Sequence, residues 1–206
     1  MTQRAGATAM DHKLERLIFF SDAVFAIAIT LLVIEIHVPH LDNASDAAAL
    51  QQLVDLWPSF FGFALSFLVI GRFWMGHHAA LSAVPGFSQA LMWPNMVMLM
   101  AIAFMPFVTA FMSQNRGQFV PFATYHLFLA LTGFLSYRVV SIATTLWAEH
   151  AAEEHWAMRA RSLGVVAGGL TAFACAFVSA PLSPIALATI PLWTRIIRRI
   201  GARQKV

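Results

Sequence analysis

Residues 16–35 read Arg16-Leu17-Ile18-Phe19-Phe20-Ser21-Asp22-Ala23-Val24-Phe25-Ala26-Ile27-Ala28-Ile29-Thr30-Leu31-Leu32-Val33-Ile34-Glu35, and Asp22 is the only charge between the arginine and the glutamate. A bilayer core about 30 Å thick takes roughly 20 apolar residues of helix. This stretch, carried on to Val38 and stopped by Pro39, therefore predicts a membrane-spanning helix over about 17–38. An ionisable side chain at such depth is costly and marks a structural or functional point. At about 100° per residue, Ile27, Thr30, Leu31 and Ile34 share one narrow stripe, while Asp22 points roughly 140° away from Ile27. The aspartate and the aliphatic stripe must serve different surfaces, one packing within the subunit and the other meeting something else.

The rest of the chain has the same character. Of its 206 residues 59% are hydrophobic and 11% charged, against roughly 25% charged in soluble domains. Long uncharged stretches separate clusters of charge, the pattern of a polytopic membrane protein. Further spans are predicted over about 53–75, 88–112 and 117–138, with Trp57 and Trp74 where aromatic belts sit and Pro85-Gly86 turning the chain before the third. The last apolar region, interrupted by Pro181 and Pro184, yields two more helices over about 153–180 and 182–199; a re-entrant hairpin is the competing arrangement. Gly164 and Gly168 form a small-xxx-small pair suited to close packing on a neighbouring helix. The expected fold is an all-α integral membrane protein, one domain over 1–206 with six transmembrane helices.

Six spans put both termini on one side. Arg4, Lys13, Arg16, Arg72, Arg138, Arg159, Arg161, Arg195, Arg198, Arg199, Arg203 and Lys205 then fall on that side and Arg116 alone opposite, which makes the termini cytoplasmic. The basic pI near 9.6 follows from this topology and calls for no nucleic-acid partner. The first apolar run is too long for a signal peptide and lacks its cleavage pattern. Outward charge is acidic: Glu35, Asp42, Asp46 and Asp55 either concentrate cations at an outer mouth or simply solvate a loop. Asn43-Ala44-Ser45 matches a glycosylation sequon, a pattern frequent by chance.

The string Arg16-x-x-x-Phe20-Ser21-Asp22, followed by Ala26-Ile27 and Thr30-Leu31, resembles the R-x-x-x-F-S-D motif of the endosomal and lysosomal potassium channel family in its prokaryotic single-repeat form. Trp74-x-x-His77-His78, Trp93-x-Asn95 and Pro106-Phe107 extend the resemblance along the chain. It implies a homotetramer of six-helix subunits in a cell's plasma membrane, with the first helices lining a central pore. It places Ile27 at the principal constriction, Thr30 at the adjacent hydroxyl position, and Leu31 and Ile34 at outer apolar layers. Arg16, Phe20, Ser21 and Asp22 then anchor the first helix to the rest of the subunit, with His77 and Asn95 as polar partners. The implied activity is a weakly selective, potassium-permeable channel that also passes caesium and rubidium. Its gate is hydrophobic, and the Thr-Val-Gly-Tyr-Gly carbonyl filter is absent from this chain as from that family.

Other chemistries fit less well. Neither a Gly-x-Ser-x-Gly, nor a His-Glu-x-x-His, nor a paired intramembrane aspartate is present, so no enzyme is expected. Adjacent His77 and His78 point about 100° apart on a helix and do not chelate as an i, i+4 pair does, so no metal or other cofactor is expected. Asp22 reads as a structural charge tied to Ser21, a histidine or an arginine. A secondary transporter, hinted at by the Pro181–Pro184 break, and a proton leak through the same bundle remain as alternatives.

Overall fold

The computed structural model describes residues 2–37, 39–40, 45–147 and 152–203. Helix α1 (Thr2–Ile34) starts well before the predicted Leu17, since no proline interrupts the polar residues ahead of the apolar run. It stops short of Val38, because Pro39 disfavours helix in the residues before it. The predicted second span is two helices: α2 (Asp46–Asp55), capped by the Ser45 hydroxyl accepting from the Ala48 amide at 3.3 Å, and α3 (Trp57–Ser82). The break falls where Pro58 occupies the first turn of α3, a position that proline tolerates and a helix interior does not. None of the residues of α2 is buried.

A short 3-10 turn (Gln89–Leu91) leads into α4 (Met92–Gln114), which carries Pro106 in its buried interior. Helix α5 (Phe119–Leu146) runs past Arg138, the predicted end, because a long cationic side chain can extend its head toward the interface while its stem stays in apolar surroundings. The last region departs most from expectation. Helix α6 (Ala152–Ala176) ends before Pro181, and in place of a regular helix over 182–199 there is a 3-10 helix (Ser183–Thr189) followed by α7 (Ile190–Arg203). Pro181 and Pro184 withhold the amide donors that an α-helix would need here.

Among the described residues, four helices are long and apolar enough to cross a membrane: His12–Ile34, Trp57–Ser82, Gln89–Gln114 and Phe119–Leu146. Helix α6 is diluted at its start by Glu153, Glu154, Arg159 and Arg161, and the 14 residues of α7 cover only about 21 Å.

Helix α4 lies innermost, with α1, α3 and α5 around it; Met98, Ile102 and Met105 are fully enclosed with Tyr125 and Leu129 of α5, Ile70 of α3 and Phe25 of α1. Helix α6 packs on α5, and α7 packs on α6. The pair Gly164 and Gly168 makes the contact with α7 tight: a Cβ on Gly164 would run into Thr194, and one on Gly168 into Ile190. Gly76, by contrast, opens onto empty space. Gly164→Val is therefore expected to lower the thermal midpoint of detergent-solubilised protein, at a cost of about 1–3 kcal/mol for overpacking. Gly76→Ala should leave the midpoint unchanged or raise it.

A polar clamp and an open face on the first helix

Along α1, Leu14, Leu17, Ser21, Phe25, Ala28 and Leu32 recur three or four residues apart and are buried, as one face of a helix packed on its neighbours must be. At the centre of this face is a chain of hydrogen bonds in which each donor has one acceptor. The His77 Nε2–H donates to the Asn95 carbonyl oxygen at 2.7 Å, and the Asn95 amide donates to the Ser21 hydroxyl at 3.0 Å. Ser21 in turn donates to the Leu17 carbonyl at 2.8 Å. All three side chains are enclosed, and the Phe25 ring lies 5.4 Å from the His77 ring. Helices α1, α3 and α4 are thus joined by groups that have no water to turn to.

A second, more open contact lies beside the first. The Trp74 indole N–H donates to one Asp22 carboxylate oxygen at 2.8 Å, and His78 Nδ1 stands 3.6 Å from the other. Of the partners considered for Asp22 from sequence, a histidine is the one present, while Ser21 goes to Asn95 instead. The indole was not anticipated. Its signal was legible, since Trp74 and His78 are four residues apart and share a face of α3. Arg16 and Phe20 join neither contact. They border a cleft with Phe87, Gln89, Met92 and Met96, because roughly 140° of helix rotation separates Arg16 from Ser21.

Among the described residues, the opposite face of α1 is largely uncovered. Ile27 is 58% exposed, Leu31 40% and Ile34 70%, whereas Phe25 and Leu32 are each 1% exposed. Thr30 lies among them with its hydroxyl proton given to the Ile27 carbonyl at 2.8 Å, which leaves its oxygen able only to accept. At the C-terminal end of α1, the Gln114 side chain donates to the Glu35 carbonyl at 3.1 Å. Asp46 is exposed in the first turn of α2; Asp42 lies outside the described residues. The Arg116 guanidinium bonds the Asp55 carbonyl, tying the turn between α4 and α5 to the end of α2.

Polar pairs on the other helices had no counterpart in the sequence reading. Ser66 sits between the hydroxyls of Tyr125, at 3.0 Å, and Thr109, at 2.8 Å, and His126 meets Ser183 at 2.7 Å. Lone serines and threonines in apolar runs carry no periodic signal, so only the tertiary structure reveals them.

Asn95→Leu removes one partner from Ser21 and one from His77, both buried. A cost of about 2 kcal/mol for stranded polar groups corresponds to a fall of roughly 4–8 °C in the unfolding midpoint for a chain of this size. Trp74→Phe, which removes a bond to the partly exposed Asp22, is expected to cost less; circular dichroism melts in detergent check the order.

Residues 16–106, which contain both contacts and the open face, match the family model described as endosomal/lysosomal potassium channel TMEM175. A protein described as a potassium channel from Streptomyces collinus is 41% identical over 112 residues, covering 52% of this chain and 53% of that protein. Another from Chamaesiphon minutus is 42% identical over 95 residues, 46% of this chain and 47% of that protein. The matches take in about half the length of these relatives. A solved structure of a lysosomal potassium-selective channel TMEM175 homologue from Chamaesiphon minutus superposes with a TM-score of 0.78 at 30% identity, over 91% of this chain and 99% of that one. The chain belongs to the endosomal/lysosomal potassium channel TMEM175 family, as a relative of its bacterial members.

Proposed function

We propose that this chain is the subunit of a potassium-permeable, weakly selective cation channel in which four copies of α1 surround a central pore. The observation that carries this reading is the two-faced character of α1. One face is pinned by buried hydrogen bonds, and the other presents Ile27, Leu31 and Ile34 largely uncovered by the described residues. The description of the bacterial relatives as potassium channels supports the same reading.

In this arrangement Ile27 forms the narrowest ring, with Leu31 and Ile34 above it. A bore lined by such side chains is too apolar to hold water while closed and conducts when a small splay widens and wets it. Discrimination among cations then comes from the cost of partial dehydration, lower for potassium, rubidium and caesium than for sodium, and from the Thr30 oxygens. Glu35, Asp46 and the neighbouring Asp42 supply an acidic outer mouth that disfavours anions. Helices α1, α3, α4, α5 and α6, with the segment running from Ser183 through α7, make six crossings of a plasma membrane. Both termini are then cytoplasmic, in keeping with the concentration of arginine and lysine at that level. No catalytic step is assigned to the chain.

The reversal potential of purified protein in planar bilayers under potassium/sodium bi-ionic conditions tests this. A potassium-favouring potential is expected in the wild type. Ile27→Asn should raise conductance and move the permeability ratio toward one. Substrate-coupled flux without a discrete conductance would instead indicate a transporter, and a current that follows the proton gradient alone would indicate a proton pathway. Cysteine at Leu31 or Ile34 is expected to cross-link copies, whereas cysteine at the exposed Leu68 of α3 should not.

A further inference from the structure

Two arginines on neighbouring helices face one cleft. Arg72 of α3 and Arg161 of α6 line it together with Gly76 of α3, Ser136 and Val140 of α5, and Ser162 of α6, and its enclosed volume is about 20 Å³, room for one water-sized group below the rim. Both arginine side chains are exposed at its rim. Neither has an acidic partner among the described residues; the ion pairs there are His12–Glu15, His78–Asp22 and Arg198–Glu153. Two guanidiniums without acidic partners on one exposed rim offer a forked seat for a shared anion.

Two further features point to the kind of anion. At the floor of the cleft the buried Ser136 and Ser162 hydroxyls bond each other at 3.1 Å and, among the described residues, bond nothing else. One of the two O–H groups is therefore left to donate to an acceptor above it. Adjoining the cleft, and sharing Arg72, Phe73 and Val165 with it, is an apolar crevice of about 140 Å³ walled by Leu65, Leu68, Val69, Leu129 and Ile190. With the exposed Trp57 at one boundary, Arg72 lies about 22 Å along α3, toward the headgroup level of the opposite leaflet. The mouth is open on the α3 side, where a Cβ on Gly76 would meet nothing within 4 Å.

We propose that the headgroup phosphodiester of an anionic glycerophospholipid rests over the mouth of this cleft, held by Arg72 and Arg161 with one phosphate oxygen reaching in toward a serine hydroxyl, and with one acyl chain against the adjoining crevice. A free anion matches the arginines but leaves the crevice unused. A zwitterionic lipid matches the crevice but brings a cation toward the arginines. Basic pockets between transmembrane helices are a recurrent means of holding such headgroups.

Native mass spectrometry of the purified protein, titrated with phosphatidylglycerol and with phosphatidylcholine of the same acyl chains, tests the site. Phosphatidylglycerol is expected to be retained preferentially. Arg161→Gln should weaken it about fivefold, and Arg72→Gln with Arg161→Gln roughly thirtyfold. Gly76→Leu, which keeps both charges and closes the mouth, should reduce binding as well, and Arg116→Gln at the other end of the bundle should not. If the double variant does not fold, the single Arg161→Gln titration decides. Equal retention of the two lipids, or binding indifferent to the arginines, overturns the proposal. Displacement by millimolar inorganic phosphate alone would assign the cleft to a free anion and overturn it too. These readouts involve no ion current, so a failure here is distinct from a failure of the channel reading.

Discussion

The arrangement depends on the cost of leaving a polar group without a partner inside an apolar bundle. Ser21, Asn95 and His77 satisfy one another in a fixed sequence of donors and acceptors, and the sequence closes for one rotation of α1 only. Turning the helix by a single residue, about 100°, would take the Ser21 hydroxyl out of reach of Asn95. Apolar packing is far less exacting, since leucine and isoleucine accept many neighbours. The inward clamp therefore decides which residues face outward. Ile27, Leu31 and Ile34 are presented as a register, not merely as leftover surface.

Smaller clamps divide the remaining work. Ser66, Thr109 and Tyr125 tie α3, α4 and α5, and His126 holds the 3-10 helix through Ser183. Helices α6 and α7 are joined by Trp193 donating to Thr171 and by Trp156 donating to the Ile197 carbonyl. In surroundings as apolar as the side chains themselves, contact area alone gives helices little reason to choose a partner, and small polar groups and close approach at glycine supply the choice.

Much of this was legible in the sequence because membrane spans obey simple rules of length and charge. The stripe through Ile27 and Ile34 and the separate direction of Asp22 followed from helical periodicity, and the motif brought His77 and Asn95 forward as polar partners of the first helix, though not as partners of each other. Helix ends were not so accessible. Arg138 suggested an end where α5 continues, because the cost of a charge depends on where its head can reach and not on where its Cα lies. The split between α2 and α3 and the 3-10 segment after Pro181 reflect local donor losses whose structural answer depends on what packs nearby. Trp74 and His78 were visible as letters, but their convergence on Asp22 required two helices to be placed side by side.

The attachments of α1 are unequal along its length. Its middle is bolted through Ser21 and Asp22, its C-terminal end is moored by the exposed Gln114 side chain on the Glu35 carbonyl, and between them Phe25, Ala28 and Leu32 make only dispersion contacts. Mechanically this is a beam with a rigid footing and a light tether at its tip. Some 18 Å separates Asp22 from Ile34 along the axis, so a few degrees of flexure above the footing displace the tip by an ångström or more while the bolted segment stays still.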